Sequence, residues 1–246
     1  MTSSFPGGTS LSDLEVYTDA APDGVCGGSP HMHLASTEAY IVTAGRGELH
    51  TIDADGYRET PLSPGSVVWF TPGTVHRAVN LDGLRVIVLM SNAGLPEAGD
   101  AVLTFPADVV GDADSYADAV SLGEPQGRDV RAARRRDLAV AGFEALRDSV
   151  LAGDRGPVDA FHAAAAALVR SRAQSWPALV SEGPLAQARR AMTMAQDLAD
   201  GSWSHLGDAR VRTGEPAPGA PAFGMCGRLR TYDFSTDNDD QQENQK

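Results

Sequence analysis

"SPHMHLASTEAYIVTAGRG", Ser29–Gly47, sets two histidines one residue apart ahead of a glutamate and a glycine, inside an apolar, strand-like stretch. The whole chain has only six histidines, so the pairing asks for a reason. On a strand, side chains alternate between faces and residues two apart point the same way. His31 and His33 therefore project in parallel. Glu38 lies an odd number of residues beyond His33, which on a continuous strand would send it to the opposite face. The intervening "LAST" reads as a turn or kink, after which Glu38 opens a neighbouring strand facing the same interior. Tyr40 and Val42 then share its inward face. Pro30 suits a strand start, because it cannot extend an upstream ladder.

A second stretch, "GSVVWFTPGTVHRAVN", Gly65–Asn80, repeats the theme. Thr71-Pro72-Gly73-Thr74 fits a type II turn, with proline first and glycine at the position that needs positive φ. His76 follows at a strand start, and Asn80 lies on the same face. His31, His33, Glu38 and His76 then make a His3Glu set. Neutral imidazoles with a carboxylate suit Fe(II), Mn, Co, Ni or Zn, and four protein ligands leave two positions of an octahedral ion open. His50, His162 and His205 have no partners in sequence and read as hydrogen-bonded structural residues.

The two stretches resemble the paired motifs of the cupin superfamily. The first motif, H-x-H, a short gap, E, six residues, G, is met by His31, His33, Glu38 and Gly45. The second, G, five residues, P-x-G, two residues, H, three residues, N, is met by Gly65, Gly73, His76 and Asn80. Two turn positions depart from it. Thr71 holds the proline position, with Pro72 one along, and Val25 replaces a glycine ahead of the first histidine, with Gly24 beside it. The ligand positions are intact. The resemblance covers about residues 20–95. It implies a mainly β protein, a cupin-type antiparallel, jelly-roll-like β-barrel, whose mouth holds one divalent metal ion on His31, His33, Glu38 and His76. It also implies a homodimer, since many cupins pair.

Around these motifs the first hundred residues are strand-like. "EAYIVTAG", "GELHTID", "GSVVWFT", "HRAVN" and "LRVIVLM" are separated by turn signals at Asp55-Gly56, Ser63-Pro64-Gly65, Pro72-Gly73 and Asp82-Gly83, the pattern of an antiparallel barrel or sandwich. "AVLTFP", from Ala101, adds a last strand. Beyond about residue 110 the apolar period lengthens to a helical one. Phe143, Leu146 and Val150 share a face ended by Gly153. Pro157 opens a second helix with Val158, Phe161, Ala165 and Leu168 on a stripe. Pro184 opens a third with Leu185, Ala188, Met192, Ala195 and Ala199 in register. The expected organisation is a barrel domain over 1–110, a helical extension over 111–210, a loop and returning strand over 211–235, and a disordered acidic tail over 236–246.

The chain of 246 residues is 42% hydrophobic and carries a net charge of -13, so long-range repulsion opposes binding to nucleic acid or an anionic membrane. Arg134-Arg135-Arg136 is the only basic cluster and reads as a solvated helix face. Two separated cysteines, Cys26 and Cys226, and the absence of a signal peptide or an apolar run suit a reduced, cytoplasmic, soluble protein.

The expected function is that of a metal-dependent enzyme on a small polar metabolite, a sugar or a hydroxy or keto acid. Its reaction would be of the isomerase or epimerase, lyase or dioxygenase type. Tyr40 and Glu38 are the candidate catalytic residues, and Tyr40, Trp69 and Asn80 the candidate pocket. The alternative is a non-catalytic sugar sensor. The helix pair from Ala139 loosely resembles the helices that follow the barrel in arabinose-type regulators, but no basic DNA-binding region follows.

Overall fold

A computed structural model of the protein describes residues 5–234; the tail expected over 236–246 lies outside them. Its backbone is built on two long strands, β3 (Glu38–Asp53) and β6 (Val75–Met90), of 16 residues each, paired antiparallel along their length. β5 (Val67–Phe70) adds to the first half of β3 and β4 (Gly56–Leu62) to its second half. β1 (Ser10–Val16) adds to the second half of β6, and β2 (His31–His33) to its beginning. The ribbon thus bends into two sheets. One holds β5, β3, β6, β1 and β10 (Gly227–Asp233). The other holds β4, β3, β6, β2 and β7 (Ala101–Leu103). The short strands β8 (Glu215–Pro216) and β9 (Ala222–Phe223) edge β10.

The bend explains a phase change in the sequence. On β3 the inward residues are Glu38, Tyr40 and Val42 before it and Leu49 and Thr51 after it. Irregular register between Val42 and Gly47 shifts the alternation by one residue, which is what a β-bulge does. Gly45 sits there with φ +73°, and a Cβ on it would collide with the carbonyl of Gly83 on β6. Gly45→Ala is expected to destabilise the fold by at least about 2 kcal/mol through backbone strain and this collision. A lowered urea midpoint with an unchanged slope checks it.

"EAYIVTAG" and "GELHTID" are therefore one strand, and Asp82-Gly83 is a bulge inside β6 where a turn was expected. β1, "SLSDLEV", was not legible as a strand, since polar residues alternate with only two core-facing ones, Leu14 and Val16.

Between the sheets lies a core that includes Leu14, Val42, Leu49, Phe70, Val86 and Val88. A second core covers the outer face of the β2–β7 sheet. Met32, Ile52, Val75 and Val102 pack there against Phe143 of α3 (Arg128–Leu151), Phe161 of α4 (Gly156–Val169) and Trp176 of α5 (Trp176–Glu182). Short helices α1 (Ala107–Val110) and α2 (Ala113–Val120) connect the barrel to them and add Val110 and Tyr116.

A helix opens at Pro184 as expected, and the reading of the basic cluster fails. α6 (Pro184–Ala199) buries none of its residues, and Met192 of its apolar stripe is 72% exposed. Of the basic cluster only Arg134 is solvated. Arg135 donates to the Gly224 carbonyl and Arg136 to the Asp19 and Ala20 carbonyls and to Asp137. Arg136 is buried where α3 meets the connection from β1 to β2, and Arg135 where it meets the turn between β9 and β10. Among the described residues no helix is long and apolar enough to cross a membrane.

Candidate metal centre

β2 carries His31 and His33 in parallel, and His31 pairs in register with His76 on β6. After His33 the chain bends through residues 34–37 and returns as β3 with Glu38 first. The bend restores Glu38 to the interior despite its odd spacing. The type II turn ahead of His76 closes with Thr74 N–H donating to the Thr71 carbonyl at 3.1 Å, and Gly73 has φ +90°. This turn is fastened from both sides. Gly73 N–H donates to the His33 carbonyl at 2.9 Å, and His162 Nε2 on α4 donates to the Gly73 carbonyl at 3.1 Å.

His31, His33, Glu38 and His76 are all buried, and each offers one ligand atom within 4.8 Å of the others. Glu38 Oε2 lies 3.2 Å from both His33 Nε2 and His76 Nε2. The outer ring nitrogens face acceptors. His31 Nδ1 donates to the Ser29 carbonyl at 3.0 Å and His76 Nδ1 to the Thr74 carbonyl at 3.2 Å. His33 Nδ1 meets Asp100 Oδ2 as a charge contact at 3.3 Å and not as an aligned hydrogen bond. A carbonyl can only accept, so the proton of His31 and of His76 sits on Nδ1 and the Nε2 lone pair faces inward.

Two of the converging atoms, Glu38 Oε2 and His76 Nε2, are buried without a hydrogen-bond partner. Orphaned polar atoms at this depth are costly. A cation among them would satisfy them together, and imidazole and carboxylate are the donors it takes. The residues present fit a metal ion.

Electrostatics agree with that fit. Burial, with the charges of His76 and His33, holds the His31 imidazole well below its usual range, so it is neutral. Burial alone would push the Glu38 carboxyl up, but His76 and His33 more than offset this and hold it well below the carboxylate range. Burial would lower His33 too, yet Asp100 and Glu38 raise it to about 9.

The candidate pocket residues divide. Tyr40 is fully buried beside the cluster, its hydroxyl 3.6 Å from Cys226 Sγ. Burial, Cys226 and Glu38 push its phenol well above the ordinary range, so it holds its proton. Asn80 spends its amide on the fold, donating to the Val16 carbonyl at 2.8 Å and accepting from Leu84 N–H at 3.0 Å. It acts as a strand clamp.

Trp69 is 70% exposed on the outer face of β5, because strand alternation turns Phe70 inward in its place. It lines an external cleft of about 440 Å³ with Arg155 and His162. Phe70 borders that cleft, and its ring lies 4.3 Å from the His76 ring.

Three features escaped sequence reasoning. Asp100 stands far from both motifs in an unremarkable "EAGDAV". Cys226 arrives with the returning strand, 4.0 Å from His31 Nδ1, and burial and Glu38 push its thiol up to about 12. Both cysteines are unbridged. Glu48, His50 and Glu59 form a second donor group, but the His50 ring nitrogens are already engaged by Glu48 at 2.9 Å and the Tyr57 hydroxyl at 3.1 Å.

Two antiparallel sheets folded from one bent ribbon over a buried His3Glu group define a double-stranded β-helix barrel. Residues 18–91 match the family model described as a cupin domain. Comparison with curated proteins finds no match. Solved structures that resemble it include an uncharacterized conserved protein with a double-stranded beta-helix domain from Klebsiella pneumoniae, 18% identical over 34% of this chain and 62% of that chain, with a TM-score of 0.28. KdgF from Halomonas sp. is 24% identical over 36% of this chain and 72% of that chain, with a TM-score of 0.27. Vicilin from tomato, Solanum lycopersicum, is 21% identical over 39% of this chain and 25% of that chain, with a TM-score of 0.31.

Proposed function

We propose that this protein is a metal-dependent cupin enzyme acting on a small polar metabolite, a sugar or a hydroxy or keto acid. The reaction is of the isomerase or epimerase, lyase or dioxygenase type at a mononuclear His3Glu centre. One observation supports it above the others: four buried donors converge within 4.8 Å, and two of the converging atoms have no other partner.

His31, His33, Glu38 and His76 hold the ion, one of Fe, Mn, Ni, Co or Zn. When bound, such an ion supplies Lewis acidity toward a carbonyl or hydroxyl oxygen. Tyr40 keeps its phenolic proton, because burial, Cys226 and Glu38 push the phenol well above its ordinary range. Phe70, with its ring 4.3 Å from the His76 ring, is the apolar wall that excludes water from the centre. The protein works in the cytoplasm as a homodimer, with a small molecule and no nucleic acid as its partner.

Metal analysis of protein purified without added metal, followed by incubation with a panel of hydroxylated and keto acids and sugars, tests the proposal. The expected result is one ion per chain, and conversion of a panel member that stops on chelation and returns with metal. Metal-free protein that binds a sugar as tightly as loaded protein, with no conversion, replaces the enzyme by the sensor alternative.

A further inference from the structure

Asp100 precedes β7 and is fully buried. Its Oδ1 accepts from Leu34 N–H at 3.1 Å and Ala35 N–H at 2.7 Å, and its Oδ2 accepts from Ser36 N–H at 3.0 Å. Those three amides belong to the bend between His33 and Glu38. The same Oδ2 lies 3.3 Å from His33 Nδ1. A single carboxylate therefore touches both the ring of one metal-site histidine and the bend that returns Glu38 to the site.

We infer that Asp100 is a positioning residue of the metal centre; this rests on the metal-binding part of the function proposed above. It keeps the His33 proton on Nδ1, so that Nε2 presents its lone pair to the ion, and it fixes the bend that sets Glu38 opposite. Backbone carbonyls do the first task for His31 and His76. His33 alone has a carboxylate behind it, and a carboxylate both fixes the tautomer and raises the basicity of a ligating imidazole. The bend alone would be served by any acceptor. A buried carboxylate is a costly acceptor unless its charge is used, and the imidazole is the group that uses it.

Asp100→Asn removes the first task and keeps two of the three bend contacts, losing only that of Ser36 N–H with Oδ2. The amide oxygen still accepts from Leu34 and Ala35. The amide nitrogen cannot accept from His33 Nδ1–H; it donates to Nδ1 and drives the imidazole proton to Nε2, where it blocks the ion. Zinc affinity, measured by chelator competition, is expected to fall about 10- to 100-fold. In zinc-loaded, 15N-histidine-labelled wild type, His33 is expected to show a slowly exchanging Nδ1–H resonance. Asp100→Asn should lose it while the Nδ1–H resonances of His31 and His76 persist, whereas general loosening would weaken all three.

Wild-type zinc affinity in Asp100→Asn overturns the inference. So does a loaded wild type whose His33 Nδ1 carries no proton, a measurement that decides the matter even where the variant does not fold. Wild type that takes up no zinc sinks this inference together with metal binding. Equal uptake by wild type and variant sinks this inference alone.

Discussion

Purified His76→Ala protein is expected to carry less than about a tenth of the metal found on wild type, because losing a ligand exceeds the 10- to 100-fold effect of losing a group behind one. His76 is the one donor from the second motif, and it comes from the opposite end of the long ribbon from Glu38. Its Nε2 has no role in the fold: it is buried, lacks a hydrogen-bond partner and points at Glu38 Oε2 from 3.2 Å. Truncating a fully buried ring packed 4.3 Å from Phe70 leaves a cavity and removes the donor to the Thr74 carbonyl, so metal-free His76→Ala should unfold at a distinctly lower urea concentration than metal-free wild type. Elemental analysis and urea unfolding of the two proteins side by side check both effects. Stoichiometric metal on the variant would mean that the ion sits elsewhere.

The ligand set was legible because its signals are local. His31 and His33 are spaced for one strand face, and the Thr71–Thr74 turn announces where His76 begins its strand. Glu38 was legible only once a bend was assumed, and the reason for the bend is Asp100, some sixty residues away. Long-range partners of this kind leave no mark on the local pattern.

The same limit explains the bulges. A break in alternation near Gly45 looks like a turn between two strands, and only the facing Gly83 makes it a kink in one strand. Trp69 and Phe70 present equal claims in sequence, since an apolar strand with both faces partly covered has no polar side to orient it. Arg135 and Arg136 were read as solvated because charge in a helix ordinarily is. Their burial depends on backbone carbonyls at Gly224, Asp19 and Ala20 that no local pattern reveals.

Metal affinity is expected to climb about tenfold per pH unit from pH 7 to near 9 and then flatten, since each bound ion must displace the His33 proton. From unperturbed histidines alone the rise would end near the reference pKa of roughly 6.5. Asp100 and Glu38 move it, because they flank the two ring nitrogens and overcome the burial that favours the neutral ring, raising His33 to about 9. The metal-free fold should respond with the opposite sign. A raised pKa means that the native state holds a proton the unfolded chain has released. The stabilisation is complete below about pH 6.5 and is lost as pH rises through about 9. Glu38 and His31 act in the other direction at the acid end. Both are shifted down in the folded protein, so their contributions are lost in acid: that of His31 as pH falls from about 6.5, and that of Glu38 only below the carboxylate range. Between pH 7 and 9 the His33 effect therefore stands alone among the three ligands with a shifted pKa. Chelator competition and urea midpoints of metal-free protein, both measured at pH 7, 8, 9 and 10, should cross: affinity rising as metal-free stability falls. Two flat curves over that range would show that His33 is not held between two carboxylates, and the geometry drawn for the centre would be wrong at its most polar point.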